Sequence, residues 1–158
     1  MRISQLNARR LANFRANRRG YISLYVFSVL FVISLFADVV ANDKPLLIEY
    51  DGSFYFPIVE AYPETTFGGD FPTEADYTDP FVMDLIREKG WAVWPIIPYS
   101  YNTVIRDLPT PAPSPPTWQN WLGTDDQARD VMARVIYGFR ISVLFGLTLT
   151  VLSSIVGI

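Results

Sequence analysis

Residues 21–37 read YISLYVFSVLFVISLFA, a run without a charge, and Val39 and Val40 extend it past Asp38. At about 1.5 Å per residue, a helix over residues 21–40 spans roughly 30 Å, the thickness of a bilayer's hydrocarbon core. Its apolar side chains go all the way round the helix, which lipid or a helix bundle demands and a surface helix of a water-soluble domain does not show. Residues 141–158, ISVLFGLTLTVLSSIVGI, form a second uncharged run of spanning length. There, Gly146, Ser153, Ser154 and Gly157 are small enough to let a neighbouring backbone approach closely. The pair of runs sets the fold class: an α-helical integral membrane protein with two transmembrane helices.

Charge orients the first helix. Arg2, Arg9, Arg10, Arg15, Arg18 and Arg19 precede it, and no acid occurs before Asp38. By the positive-inside rule residues 1–20 form a cytoplasmic basic N-terminus, with Arg15, Arg18 and Arg19 setting orientation and Tyr21 and Tyr25 at the interface. A cleaved signal peptide is the competing reading. The run exceeds the usual apolar stretch of about 7 to 15 residues, and only a weak small-residue cleavage site lies near Ala41, so an uncleaved helix is the better reading.

Composition removes several functions. With no Cys and no His, thiol nucleophiles, Cys-ligated metals and the commonest general base are all absent. A net charge of −3 and a pI near 4.8 argue against a nucleic-acid partner. No catalytic, metal-binding or cofactor-binding residues are expected.

Residues 41–121 form a large extracytoplasmic loop between the helices. It contains all 12 prolines of the chain and most of its acids, so it is expected to be mixed and largely irregular. Its many aromatics supply enough apolar area to keep it ordered. Residues 46–50 and 53–56 around Asp51-Gly52 carry the signature of a β-hairpin with a type I′ turn. Residues 81–89 read as a short helix that Gly90 stops, and residues 110–116, TPAPSPP, as a polyproline II spacer. Glu60, Glu64, Asp70, Glu74, Asp76 and Asp79 lack calcium-loop spacing and read as a solvated acidic face, with docking of a partner as the functional alternative.

Residues 122–144 read LGTDDQARDVMARVIYGFRISVL. Thr124 and Gln127 match a capping box, which places a helix start at Asp125, and apolar residues then recur at helical spacing from Ala128 to Phe139. Asp130 and Arg134 are spaced for an i, i+4 ion pair. The expectation is an amphipathic elbow helix over residues 122–140, bending at Gly138 into a spanning helix over residues 141–158.

The same string resembles the segment before the second transmembrane helix in permease subunits of the oligopeptide, dipeptide and nickel-type ABC importers. Gly123, Thr124, Asp125, Arg129, Asp130, Arg134, Gly138, Arg140 and Ser142 match that pattern. Asn120, Ala128 and Ala133 depart from it, where His, Gly and Ser are usual. The first half, with AxxRRG before the first helix and ANDKPLLIxYDG after it, is similar to the second permease of the microcin C type peptide importer, which has a large loop at this place.

The resemblance implies a permease that moves peptides across the bacterial inner membrane by ATP-driven alternating access, multi-pass and with a cytoplasmic N-terminus. It implies a homologous permease subunit, two ATP-binding subunits, a periplasmic peptide-binding protein and membrane lipid as partners. Hydrolysis would belong to the ATP-binding subunits. Because the late EAAxxxG coupling loop does not occur, the chain is expected to be the N-terminal portion of such a subunit. Gly123, Thr124, Asp125, Arg129, Asp130, Arg134, Gly138 and Arg140 become candidates for a gate or partner interface, and the acidic loop for docking. The alternative is a two-pass membrane-anchored periplasmic interaction or sensor protein without transport activity.

Overall fold

A computed structural model describes residues 5–157; Arg2 and Ile158 lie outside them. Helix α1 covers Gln5–Ala16 and α2 Arg18–Leu35. Residues 5–16 are thus helical as well as basic. Asn17 separates the two helices, and its side-chain oxygen accepts the Gly20 amide at 3.2 Å, a cap that starts α2 afresh. The chain breaks at Phe36 and resumes as a single turn, α3, over Ala37–Val40. The expected helix over residues 21–40 is therefore two helical pieces, because Asp38 is drawn to side chains of the last helix, described below.

That last helix, α5, runs without interruption over Val131–Gly157. Both α2 and α5 are long and apolar enough to cross a membrane. They touch where the ring of Phe27, midway along α2, meets that of Phe139, in the third turn of α5, edge to face at 5.6 Å.

Between them the loop builds a small core of its own. Strands β1 (Leu47–Tyr50) and β2 (Ser53–Tyr55) are antiparallel, with Ile48 opposite Tyr55 and Tyr50 opposite Ser53. Asp51 and Gly52, both at positive φ (49° and 77°), form the turn between them. A 3₁₀ turn at Glu64–Phe67 and helix α4 (Pro80–Lys89) follow, the latter capped by Asp79, whose side chain accepts the Phe81 amide at 2.9 Å. Strand β3 (Gly90–Val93) then pairs with the free edge of β1, giving the order β2-β1-β3. One face of the sheet packs Ile48, Tyr50, Tyr55 and Ala92 against Phe67, Tyr77, Val82, Met83 and Ile86. Burying these rings and aliphatic chains, at about 1.5–3 kcal/mol each, holds together a segment with little repetitive structure.

As expected, α4 ends at Lys89 and Gly90 follows it; Gly90 is extended and opens β3, where a Cβ would lie 1.8 Å from the Glu49 carbonyl oxygen. Residues 110–116 are no free polyproline spacer, since Ser114 is buried and exchanges hydrogen bonds with Thr124. Of the six acids read as a solvated face, Glu60, Asp70, Glu74, Asp76 and Asp79 are exposed as expected, several of them in local hydrogen bonds, and Glu64 is the exception. Glu64 is buried and accepts the Asp70 amide, Asp76 accepts from Thr78, Glu74 pairs with Lys44, and Tyr62 donates to Glu60.

The largest correction concerns the elbow. Residues 122–130 are not helical, and the first residue of α5 is Val131. The Thr124 hydroxyl accepts the Ser114 amide rather than that of Gln127, so the capping box never forms. Ala128 sits at φ 58°, which no right-handed helix permits. Gly123's carbonyl takes the Val131 amide, and Asp130's carboxylate accepts the Ala133 amide at 2.7 Å, so Asp130 is the residue that caps the helix. Beyond that point α5 continues through Gly138, where nothing lies within 4 Å of an added Cβ.

Gly90→Ala is expected to destabilise the sheet by about 3 kcal/mol, because the obstructing atom is backbone and cannot swing aside. Thermal unfolding of the detergent-solubilised chain, followed by tryptophan fluorescence, checks it.

Candidate functional site: the aspartate loop at the head of the last helix

The loop of residues 120–130 is organised by two carboxylates. Asp125 Oδ1 accepts the amides of Gln127 and Arg129, each at 2.9 Å, and Oδ2 accepts Arg129 Nε and Nη2 at 2.9 Å. The Arg134 guanidinium binds the same Oδ2. The Asp125 side chain is 14 % exposed, against 44 % for Arg134, so most of this ion pairing is sheltered from solvent screening. Burial by itself would raise the Asp125 pKa; the Arg129 and Gln127 amides and the Arg129 guanidinium outweigh it and pull the carboxyl down to about 2.

Asp130 is fully buried. Besides capping Ala133 it accepts Asn120 Nδ2 at 2.9 Å, so each carboxylate oxygen has a partner. Asn120 in turn gives its carbonyl to the amides of Thr117 and Gly123. The expected Asp130–Arg134 pair does not form, because Asp130 points into the loop and Arg134 reaches Asp125 instead. Gly123 has φ 73°, and a Cβ there would meet the Ser114 carbonyl oxygen at 2.4 Å. Only glycine lets residues 114–116 lie this close.

A second constellation sits one to two turns further along α5. Arg140 Nη1 donates to Asp38 Oδ2 at 2.8 Å, and the Tyr137 hydroxyl lies 2.8 Å from both Asp38 Oδ1 and the Ala41 carbonyl oxygen. The Arg140 guanidinium also lies over the Tyr137 ring, 4.8 Å from its centroid.

Of the residues selected from sequence, Gly123, Thr124, Asp125, Arg129 and Asp130 lie in one loop and Arg134 reaches it from α5, while Arg140 belongs to the clamp on Asp38. Gly138 lies between the two and joins neither. Arg15, Arg18 and Arg19 are exposed on α1 and α2, far along the chain from both. Sequence reasoning missed Asp38, Tyr137, Ser114 and Asn120 as members. A lone acid near the end of an apolar run was the available signal for Asp38; Ser114 carried none.

Comparison with known proteins now bears on this arrangement. The chain is 50 % identical over 157 residues to the inner membrane ABC transporter permease protein YejE of Escherichia coli, an alignment covering 99 % of this chain and 46 % of that protein. It is 48 % identical over 179 residues to the peptidoglycan transport system permease protein YejE of Agrobacterium fabrum, covering 98 % and 47 %. The chain belongs to the ABC transporter permease family. It is accordingly an α-helical membrane protein, and it spans a little under half the length of these relatives. The di/tripeptide transport system permease protein DppC of Pseudomonas aeruginosa also matches, 38 % identical over 84 residues, 49 % of this chain and 26 % of that one. No family model and no solved structure matches.

The permease pattern explains its own exceptions here. Ala128, where glycine is usual, occupies a left-handed position, and Asn120, where histidine is usual, serves as an N–H donor to Asp130, a task an imidazole also performs. Ala133, where Ser is usual, is fully buried beside Ala37 and Ala41, an apolar setting that gives the methyl group its contacts.

Two predictions follow from this geometry. Ala128→Gly should stabilise the loop by about 1 kcal/mol by removing left-handed strain, read as slower amide exchange over residues 123–131. Because the Asp125 pKa is depressed, its charge stabilises the fold above the ordinary carboxylate range of about 4, and that contribution is lost as the pH falls through about 2. Protection of the Arg129 amide should hold at pH 4 and fall below it; in Asp125→Asn it should be low at every pH.

Proposed function

We propose that the chain contributes two spanning helices and a large outer loop to a permease that imports peptides across the bacterial inner membrane. The observation that carries this is the 50 % identity over 99 % of the chain to a permease, together with an ion-paired loop at the very positions the family pattern shares. In this reading α1 and the start of α2 are cytoplasmic, where Arg15, Arg18 and Arg19 face anionic lipid. Residues 41–130 are then extracytoplasmic. Transport requires a homologous permease subunit, two ATP-binding subunits that hydrolyse ATP, and a periplasmic peptide-binding protein. The chain itself supplies no hydrolytic chemistry.

The aspartate loop has the properties a gate element needs. It is joined rigidly to α5 through the Gly123–Val131 and Asp130–Ala133 hydrogen bonds, so a displacement of the loop moves the helix. Alternating access then becomes a shift between two packings of α5 against its neighbours, biased by what binds on the outside. Peptide specificity of the microcin C kind belongs to the same proposal. The small core of the outer loop favours one second reading, a two-pass membrane-anchored interaction or sensor protein, in which that core is a self-sufficient module.

Charge reversal at Asp125 or Arg129, made in the permease subunit that carries this segment, should reduce peptide uptake at least about tenfold while leaving the amount inserted in the membrane unchanged, since each removes a sheltered ion pair. Uptake of labelled peptide by intact cells is the measurement. Normal uptake by both variants removes the gate role, and normal uptake in cells lacking the subunit altogether leaves the sensor reading.

A further inference from the structure

The sheet that builds the loop's core has a second face, and nothing among the described residues covers it. Alternation along the strands turns Leu47 and Glu49 of β1, Phe54 of β2 and Trp91 and Val93 of β3 away from the core. Phe54 is 62 % exposed and Trp91 48 %. The register places Glu49 directly opposite Phe54 on one side and directly opposite Trp91 on the other. With adjacent strands about 4.8 Å apart, an aromatic side chain flanks the carboxylate on each side in one row across the sheet. Leu47 and Val93 form the next row.

The Glu49 carboxylate is held in place. Its Oε1 accepts the Gly52 amide at 3.0 Å, which leaves Oε2 for another donor. Among the described residues Glu49 belongs to none of the ion pairs. A carboxylate between two exposed aromatic faces, with an apolar row beside it, suits a guanidinium or ammonium group. Such a cation gains the ion pair and the ring quadrupoles together, while its aliphatic stem covers Leu47 and Val93.

Charge selects the occupant. From Asp43 to Lys89 acids far outnumber bases, so a second copy of the chain would set acid against acid, and anionic lipid headgroups would be repelled. A soluble protein with a basic, partly apolar surface is attracted and steered. We propose that the Phe54–Glu49–Trp91 row is the docking site for an arginine or lysine presented by the extracytoplasmic peptide-binding protein. This rests on the permease reading and names the surface through which that partner is met.

The test uses the assembled transporter in nanodiscs and the peptide-binding protein of the same transporter, with affinity measured by surface plasmon resonance at several salt concentrations. Trp91→Ala and Glu49→Gln should each weaken binding about tenfold, as expected for a central aromatic or charged anchor. Glu49→Gln should also flatten the salt dependence. It is isosteric and keeps an acceptor for the Gly52 amide, so it preserves the hairpin even if Trp91→Ala loosens the sheet. Trp118→Ala, elsewhere on the loop and 95 % exposed, should bind as wild type. Wild-type affinity and salt dependence in Glu49→Gln overturns the docking row while leaving the permease reading intact, provided the wild-type assembly binds the protein and imports peptide. A wild-type assembly that neither binds it nor imports peptide overturns both.

Discussion

The Tyr137 hydroxyl is the point on which the architecture turns. It lies 2.8 Å from both the Asp38 carboxylate and the Ala41 carbonyl oxygen, and so ties the end of α3 to the second turn of α5 across nearly a hundred residues of sequence. Its ring meets Tyr101 of the loop at 5.1 Å and carries the Arg140 guanidinium on one face. Around it Ala37, Ala41, Ile97 and Ala133 pack as a small buried cluster. Arg140 is largely sheltered and Asp38 half exposed; bonded to each other and to a hydroxyl, they fasten α3 to α5. The break at Phe36 follows, since a straight continuation of α2 would leave Asp38 without these partners.

The loop above this junction solves a different problem. Proline removes backbone donors and forbids long ladders, so its remaining amides and carbonyls must find partners one by one. Side chains supply many of them: Thr124 for Ser114, Asp125 for Gln127 and Arg129, Asp130 for Ala133, Asp79 for Phe81. This is why a segment so rich in acids is not merely a solvated surface. Most of its carboxylates act as local acceptors; Glu49 does so through Oε1 alone and takes part in none of the ion pairs among the described residues.

Much of this was legible in residues taken singly or in short runs. The two apolar helices followed from length and lack of charge, the Asp51-Gly52 turn from its need for positive φ, and the importance of the 123–134 string from its family pattern. The elbow helix was misread because Thr124 and Gln127 satisfy a local rule that a distant residue overrides: Ser114 reaches the Thr124 hydroxyl first. Gly90 ends α4 where expected, but it also has a second role that the chain's local pattern does not show. A glycine after a basic helix end suggests a stop, and only the approach of the Glu49 carbonyl reveals that its missing Cβ makes room for a neighbouring strand.

The sequence by itself determined what depends on neighbours along the chain: helix length, hydropathy, turn chemistry, and the sign of charge in each segment. Tertiary structure decided what depends on who arrives. It chose Asp125 rather than Asp130 as the partner of Arg134, Asp130 rather than Thr124 as the cap of α5, and Asp38 as the anchor of Arg140. Each choice is a competition for one acceptor among donors distant in sequence, and its outcome is set by burial and geometry that no local pattern contains.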